Sequence, residues 1–229
     1  MAGRIPIAGG MDASKPKLVA ADADALRRLV RDHAERAAFL FDLDGTLTDT
    51  MPLHRRAYQA VFSAHGAALA TADFDRLVGP PARVTIPRFM AAAGMAAKDE
   101  AWPMRLHAEK KQVFETMLAI EPLPELPALA VLRDAAGERP IAVVTSGNRR
   151  GAEAILGALG IASAVDVLVT SDDVAQGKPD PEPYRRGLSA LGVEAEHALA
   201  FEDHDDGITS ARAAGLRVID VRRGEMVRP

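Results

Sequence analysis

The sequence predicts an α/β fold, a doubly wound parallel sheet with an all-helical block inserted into it, and three observations carry that reading. An apolar run at residues 39–41 stops abruptly at Asp42-Leu43-Asp44-Gly45, the pattern of a short strand buried on both faces. From residue 53 to residue 121 no segment has strand character. Beyond residue 127, apolar runs at 141–144, 165–169, 198–201 and 218–221 alternate with helical segments, and such alternation builds a parallel sheet covered by helices on both faces.

Taken in order, residues 1–16 are rich in Gly, Ala, Pro and Lys and read as a disordered leader, with Met11 as an alternative start. Residues 19–36 read as a helix, because Leu26, Leu29, Val30 and His33 share one face at i, i+3, i+4 and i+7. After the first strand, Thr50 or Met51 caps a helix with Pro52 in its first turn. Leu53, Ala57, Ala60, Val61 and Ala64 follow at helical spacing. Further helices are expected over 84–93 and 101–119, the second with Leu106, Val113, Phe114 and Met117 as its stripe. Tyr58, Phe89 and Trp102 read as core of this block. The proline-rich residues 121–127 close it as a linker. Later helices stop at Gly160, Gly192 and Gly215, as glycine C-caps predict. The expected division is an N-terminal extension (1–36), a sheet domain (37–52 and 123–229) and a helical domain (53–122).

Composition excludes several classes. The 229 residues carry 28 Lys and Arg against 32 Asp and Glu, a net charge of −4, with no basic cluster for nucleic acid. There is no cysteine, which removes thiol nucleophiles, zinc-thiolate sites and disulfides and suits a reducing cytoplasm. No apolar run approaches the roughly 18 residues of a membrane span.

The chemistry sits at the strand ends, where ligands of open parallel sheets bind. Asp42 and Asp44, two residues apart, would point the same way if the strand continued, and two acids at one spot call for a cation or a retained proton. The bland alternative is a solvated strand end and a turn. Thr145-Ser146-Gly147-Asn148 offers a hydroxyl and free backbone N–H groups to an anion, or else is an ordinary helix cap. Lys178 in Gly177-Lys178-Pro179-Asp180-Pro181 is a stiffly held ammonium, or a surface lysine in a turn. Glu202 and Asp203 set oxygen ligands for a hard cation opposite Asp42.

These four segments, in this order, resemble the motifs of the haloacid dehalogenase-like (HAD) superfamily. The resemblance implies a HAD-like core with a C1-type helical cap, as in the subgroup of β-phosphoglucomutase and small-metabolite phosphatases. It implies Asp42 as nucleophile, Asp44 as general acid and base, and Thr145 and Lys178 as phosphoryl-stabilising residues. Mg²⁺ would be held by Asp42, the Asp44 carbonyl, Asp203 and Glu202. Ser146, Gly147 and Asn148 would contact substrate, as would His54 at the hinge and Arg83 beside the glycine-containing loop at 77–83. Relatives continue the fourth motif with Ser-x-x-Gly, whereas here His204-Asp205-Asp206-Gly207 follows, with Asp206 a possible extra ligand but more simply a solvated acid at a helix N-terminus.

The resulting expectation is a cytoplasmic Mg²⁺-dependent phosphatase acting on a small phosphorylated metabolite through an aspartyl-phosphate. The alternatives are a phosphosugar mutase and, from another class, a catalytically weak phosphate-binding or interaction module. Dehalogenases of the superfamily lack the second aspartate that Asp44 supplies. Substrate and oligomeric state are left open.

Overall fold

The computed structural model describes residues 22–33, 38–79 and 82–229. The leader, residues 19–21 and 34–36 of the first expected helix, and Pro80 and Pro81 lie outside them. The strands are β1 (Ala38–Phe41), β2 (Ile141–Val144), β3 (Val167–Val169), β4 (Ala198–Glu202), β5 (Arg217–Asp220) and β6 (Glu225–Val227). They form one sheet in the order β3-β2-β1-β4-β5-β6. All pairs are parallel except β5 with β6. That antiparallel edge strand is three residues long and has no counterpart among the expected strands.

The helices are α1 (Ala23–Arg31), α2 (Met51–Ala64), α3 (Thr71–Leu77), α4 (Ala82–Ala92), α5 (Trp102–Leu118), α6 (Pro127–Ala135), α7 (Arg149–Ala158), α8 (Glu182–Leu191) and α9 (Asp205–Ala213). Two of these, α3 and α6, have no counterpart in the sequence reading. The latter begins at the last proline of the stretch that reads as a linker. Pro127 occupies the first turn, where its missing N–H costs nothing and its fixed φ favours the helix.

Strand alternation sorts the core into two layers. Phe39 and Phe41 face one side with Ile141, Val143, Leu199, Phe201 and Ile219, packed against Leu26 of α1, Leu129 and Leu132 of α6 and Ile155 of α7. Ala38 and Leu40 face the other side with Ala142, Val144, Ala200 and Val218, under Tyr184 and Leu188 of α8 and Ile208 and Ala211 of α9. On the first side Phe41 stacks on Phe201 at 4.3 Å and Phe39 meets both edge-on. Burying each ring stabilises the fold by about 1.5–3 kcal/mol, and Phe41→Ala would cost about 3–5 kcal/mol.

Between β1 and α6 the chain builds a helical cap. Its own apolar cluster includes Tyr58, Phe62, Phe74, Phe89, Trp102 and Leu106, so the three aromatic residues expected as core are core. Leu53 and Ala57 of α2 with Phe114 and Leu118 of α5 instead join the cluster beneath the sheet. The cap thus rests on the core through one end of its two longest helices, and the cavity described next lies at that junction.

Candidate active site

Phe41 pairs with Phe201 in register, so the next residues, Asp42 and Glu202, emerge side by side at the carboxyl edge of the sheet. The Asp42 N–H extends the ladder by donating to the Phe201 carbonyl at 3.0 Å. Side chains alternate along each strand, so Asp42 and Glu202 continue the side of the sheet set by Leu40, Ala200 and Val144, which faces α8. Between the two carboxylates sits Lys178. Its Nζ donates to Asp42 Oδ1 at 2.6 Å, to Glu202 Oε1 at 2.6 Å and to the Val144 carbonyl at 2.9 Å, which uses all three ammonium protons. Burial pulls the lysine pKa down, but Asp42 and Glu202 outweigh it and hold the ammonium charged. The buried Tyr184 hydroxyl donates to the same Glu202 oxygen at 2.6 Å, a partner that no sequence motif marks.

Asp42 and Asp44 come together through a turn, not through strand alternation, because β1 stops at Phe41. Leu47 N–H donates to the Leu43 carbonyl at 3.0 Å and Gly45 N–H to the Thr48 carbonyl at 2.7 Å, while Leu43 and Leu47 are buried in the core. Gly45 has φ +97°, open to glycine and strained for other residues. A Cβ there would also collide with the Asp203 carboxylate. The Asp44 carboxylate accepts a hydrogen bond from the Thr50 hydroxyl. Thr50 precedes α2 but makes no side-chain cap bond, so its hydroxyl serves Asp44 instead. Burial raises the Asp44 pKa to about 6; the Thr50 hydrogen bond holds it down and the Asp42 charge pushes it up.

A cavity of about 290 Å³ opens beside Asp44. Thr145, Ser146, Gly147 and Asn148 line its core side, and His54, Lys110 and Phe114 line its cap side. Within the Thr145 loop some donors are already engaged. Gly147 N–H donates to Thr145 Oγ1 at 3.0 Å, and the Asn148 side chain caps α7 by accepting from Gly151 N–H at 2.8 Å. Ser146 is exposed at the cavity wall. His54 stacks on Phe114 at 4.2 Å, and its Nδ1 accepts from Lys110 Nζ. Burial, then the Lys110 charge, pushes the His54 pKa down to about 3, so the ring is neutral. Arg83, expected beside the substrate, is exposed in the first turn of α4 and does not line this cavity; α4 turns Thr85, Ile86, Phe89 and Met90 inward.

Lys110 is absent from the sequence-derived site, although a signal for it exists. It lies at i+4 between Leu106 and Phe114, on the buried face of α5, where a lysine breaks the apolar stripe. Burial lowers its pKa to about 8, with the Asp44 charge acting the other way.

Asp42, Glu202 and Asp203 each offer an oxygen within 4.8 Å of the others. Thr46 Oγ1 donates to Asp203 Oδ1 at 3.3 Å. Burial raises both Glu202 and Asp203, and repulsion from Asp42 adds to it. Three carboxylates facing one ammonium leave an excess of negative charge among hard oxygen donors, which fits a hard divalent cation. Glu202 shares one oxygen between Lys178 and Tyr184, so it anchors the lysine as well. His204 caps α9, and Asp205 and Asp206 are exposed in its first turn, Asp205 paired with Arg222 at 2.8 Å. The extra acids therefore stand as solvated residues at a helix N-terminus.

Known proteins share this fold and much of this sequence. The family model for haloacid dehalogenase-like hydrolase matches residues 37–215. Validoxylamine A 7'-phosphate phosphatase of Streptomyces hygroscopicus subsp. limoneus is 39% identical over 77% of this chain and 81% of its own. Fructose-1-phosphate phosphatase YqaB of Escherichia coli K12 is 35% identical over 81% and 96%. Among solved structures, CbbY from Rhodobacter sphaeroides in complex with phosphate superposes with a TM-score of 0.68 at 31% identity, covering 80% of this chain and 84% of that one. The chain belongs to the haloacid dehalogenase-like hydrolases, as a phosphatase with a helical cap.

Proposed function

We propose that the protein removes phosphate from a small, sugar-like phosphorylated metabolite, with Mg²⁺ bound, through an aspartyl-phosphate on Asp42. The observation that carries this reading is the three-way hold of Lys178 on Asp42, Glu202 and the Val144 carbonyl. Lys178 fixes Asp42 Oδ1, which leaves Oδ2 to attack phosphorus. Asp42, the Asp44 carbonyl, Asp203 and Glu202 would hold Mg²⁺, which when bound supplies positive charge that lets an anionic carboxylate approach an anionic phosphoryl group. With a pKa of about 6, Asp44 is poised near neutrality to protonate the leaving oxygen and then to take a proton from the hydrolytic water. Thr50 fixes the orientation of that carboxyl. The Thr145 hydroxyl and the Lys178 ammonium offset charge on the equatorial oxygens, and the cap excludes bulk water.

The phosphatase names of relatives at 35–39% identity support hydrolysis over mutase chemistry. The test is incubation with p-nitrophenyl phosphate and a panel of phosphorylated sugars, phosphoglycolate and nucleotides, with Mg²⁺ or with a chelator, and with or without a bisphosphate primer. Free phosphate that requires Mg²⁺ is expected. An isomerised sugar phosphate without free phosphate would replace this reading by a mutase, and no turnover in any arm would reject both.

A further inference from the structure

The cap helix α5 lines the cavity with His107, Lys110, Lys111, Phe114 and Glu115, and its charges are distributed unevenly. The two acids near the lysines are occupied elsewhere. Glu109 pairs with His65 at 2.7 Å, and Glu115 pairs across the cap–core junction with Arg150 at 2.6 Å. Lys111 and Glu115 are one turn apart, spaced for an i,i+4 pair, yet Glu115 is turned to Arg150. Among the described residues, no carboxylate lies within 4.0 Å of the Lys110 or Lys111 ammonium. His107 adds no charge, because burial, then Lys111 and Lys110, pushes its pKa down to about 4. Two adjacent cations therefore border the cavity that Thr145 and Asp44 also line.

We propose that Lys111 is a specificity-determining residue that recognises a second anionic group, carboxylate or phosphate, at the end of the substrate remote from the phosphoryl group removed. The proposal rests on the phosphatase reading and names its substrate class. Lys110 is buried against His54 and turned toward Asp44, so it belongs to the reacting end. Lys111 is exposed at the cavity wall, where its flexible stem reaches an incoming anion.

Matched substrates test this. 6-Phosphogluconate differs from sorbitol 6-phosphate by a carboxylate, and fructose 1,6-bisphosphate differs from fructose 1-phosphate by a second phosphate. The parent is expected to show a higher kcat/KM for the doubly anionic member of at least one pair, and the pair that responds identifies the anion. Lys111→Met should lower that ratio about fivefold, the size of one partly exposed ion pair, and Lys111→Arg should retain it. A parent ratio near one in both pairs, or a ratio that Lys111→Met leaves unchanged, overturns the proposal. Calorimetric binding of the same pairs to the Asp42→Asn protein gives the ratio without turnover. Failure to hydrolyse p-nitrophenyl phosphate would thus reject the phosphatase reading while the binding ratio still decides the role of Lys111.

Discussion

Replacing Asp44 by asparagine removes a charge that the fold holds at a cost while keeping an oxygen to accept from Thr50. Burial moves the Asp44 pKa from 3.8 to about 6. At about 1.4 kcal/mol per pKa unit, ionised Asp44 costs folding about 3 kcal/mol. The folded pKa lies above the unfolded one, so the favourable contribution is complete below pH 4 and is lost as the pH rises through 6. Asp44→Asn has no such loss. The variant should therefore be more stable than the parent by about 3 kcal/mol at about pH 8, with the gap closing toward about pH 4. Urea unfolding of both proteins at several pH values, with chelator present, measures it; taking the difference between them cancels the other carboxyls that titrate in this window. The same variant should lose about 10²–10⁴-fold in turnover. A variant less stable than the parent at the alkaline end, or a gap that does not change with pH, would refute the claim that Asp44 is a strained, catalytically poised acid.

Two further substitutions probe neighbouring parts of the site. Tyr184→Phe keeps the buried ring and deletes the hydroxyl that donates to Glu202, so stability should fall by about 1.5 kcal/mol; because the effect passes through Glu202, it should shrink in a Glu202→Gln background, and additivity of the two changes would contradict it. Gly45→Ala forces a side chain into left-handed backbone and against the Asp203 carboxylate, so Mg²⁺ affinity by calorimetry should drop at least about tenfold, and an unchanged affinity would count against Asp203 as a ligand.

Much of the sheet is legible in the sequence because its central strands are buried on both faces and read as short apolar runs. β2 spans the expected residues, and β4 extends the expected run by one. β6 offers only three residues, none of them buried, too few for periodicity to register. α6 is hidden by the prolines before it, which mark a linker and a helix start equally well. At the site, Asp42, Asp44, Glu202 and Asp203 are visible as strand-end chemistry and Lys178 as an ammonium set between a glycine and two prolines, and the structure brings them together. The carboxylates converge through the Gly45 turn, a geometry that alternation does not anticipate. Thr50, Lys110 and Tyr184 escape a sequence reading of the site because their importance comes from burial and from the partners the fold brings to them. Of these, only Lys110 leaves a local trace, a charge on an apolar helix face.

The account depends most on Asp42 carrying the phosphoryl group. Acid quenching during the first turnover of an aryl phosphate, followed by digestion and fragment mass spectrometry, reads this directly. The predicted result is one added phosphoryl group on the peptide containing Asp42, absent from the Asp42→Asn protein, which also fails to release phosphate. A phosphoryl group on another residue, or phosphate release by Asp42→Asn at the parental rate, would contradict it.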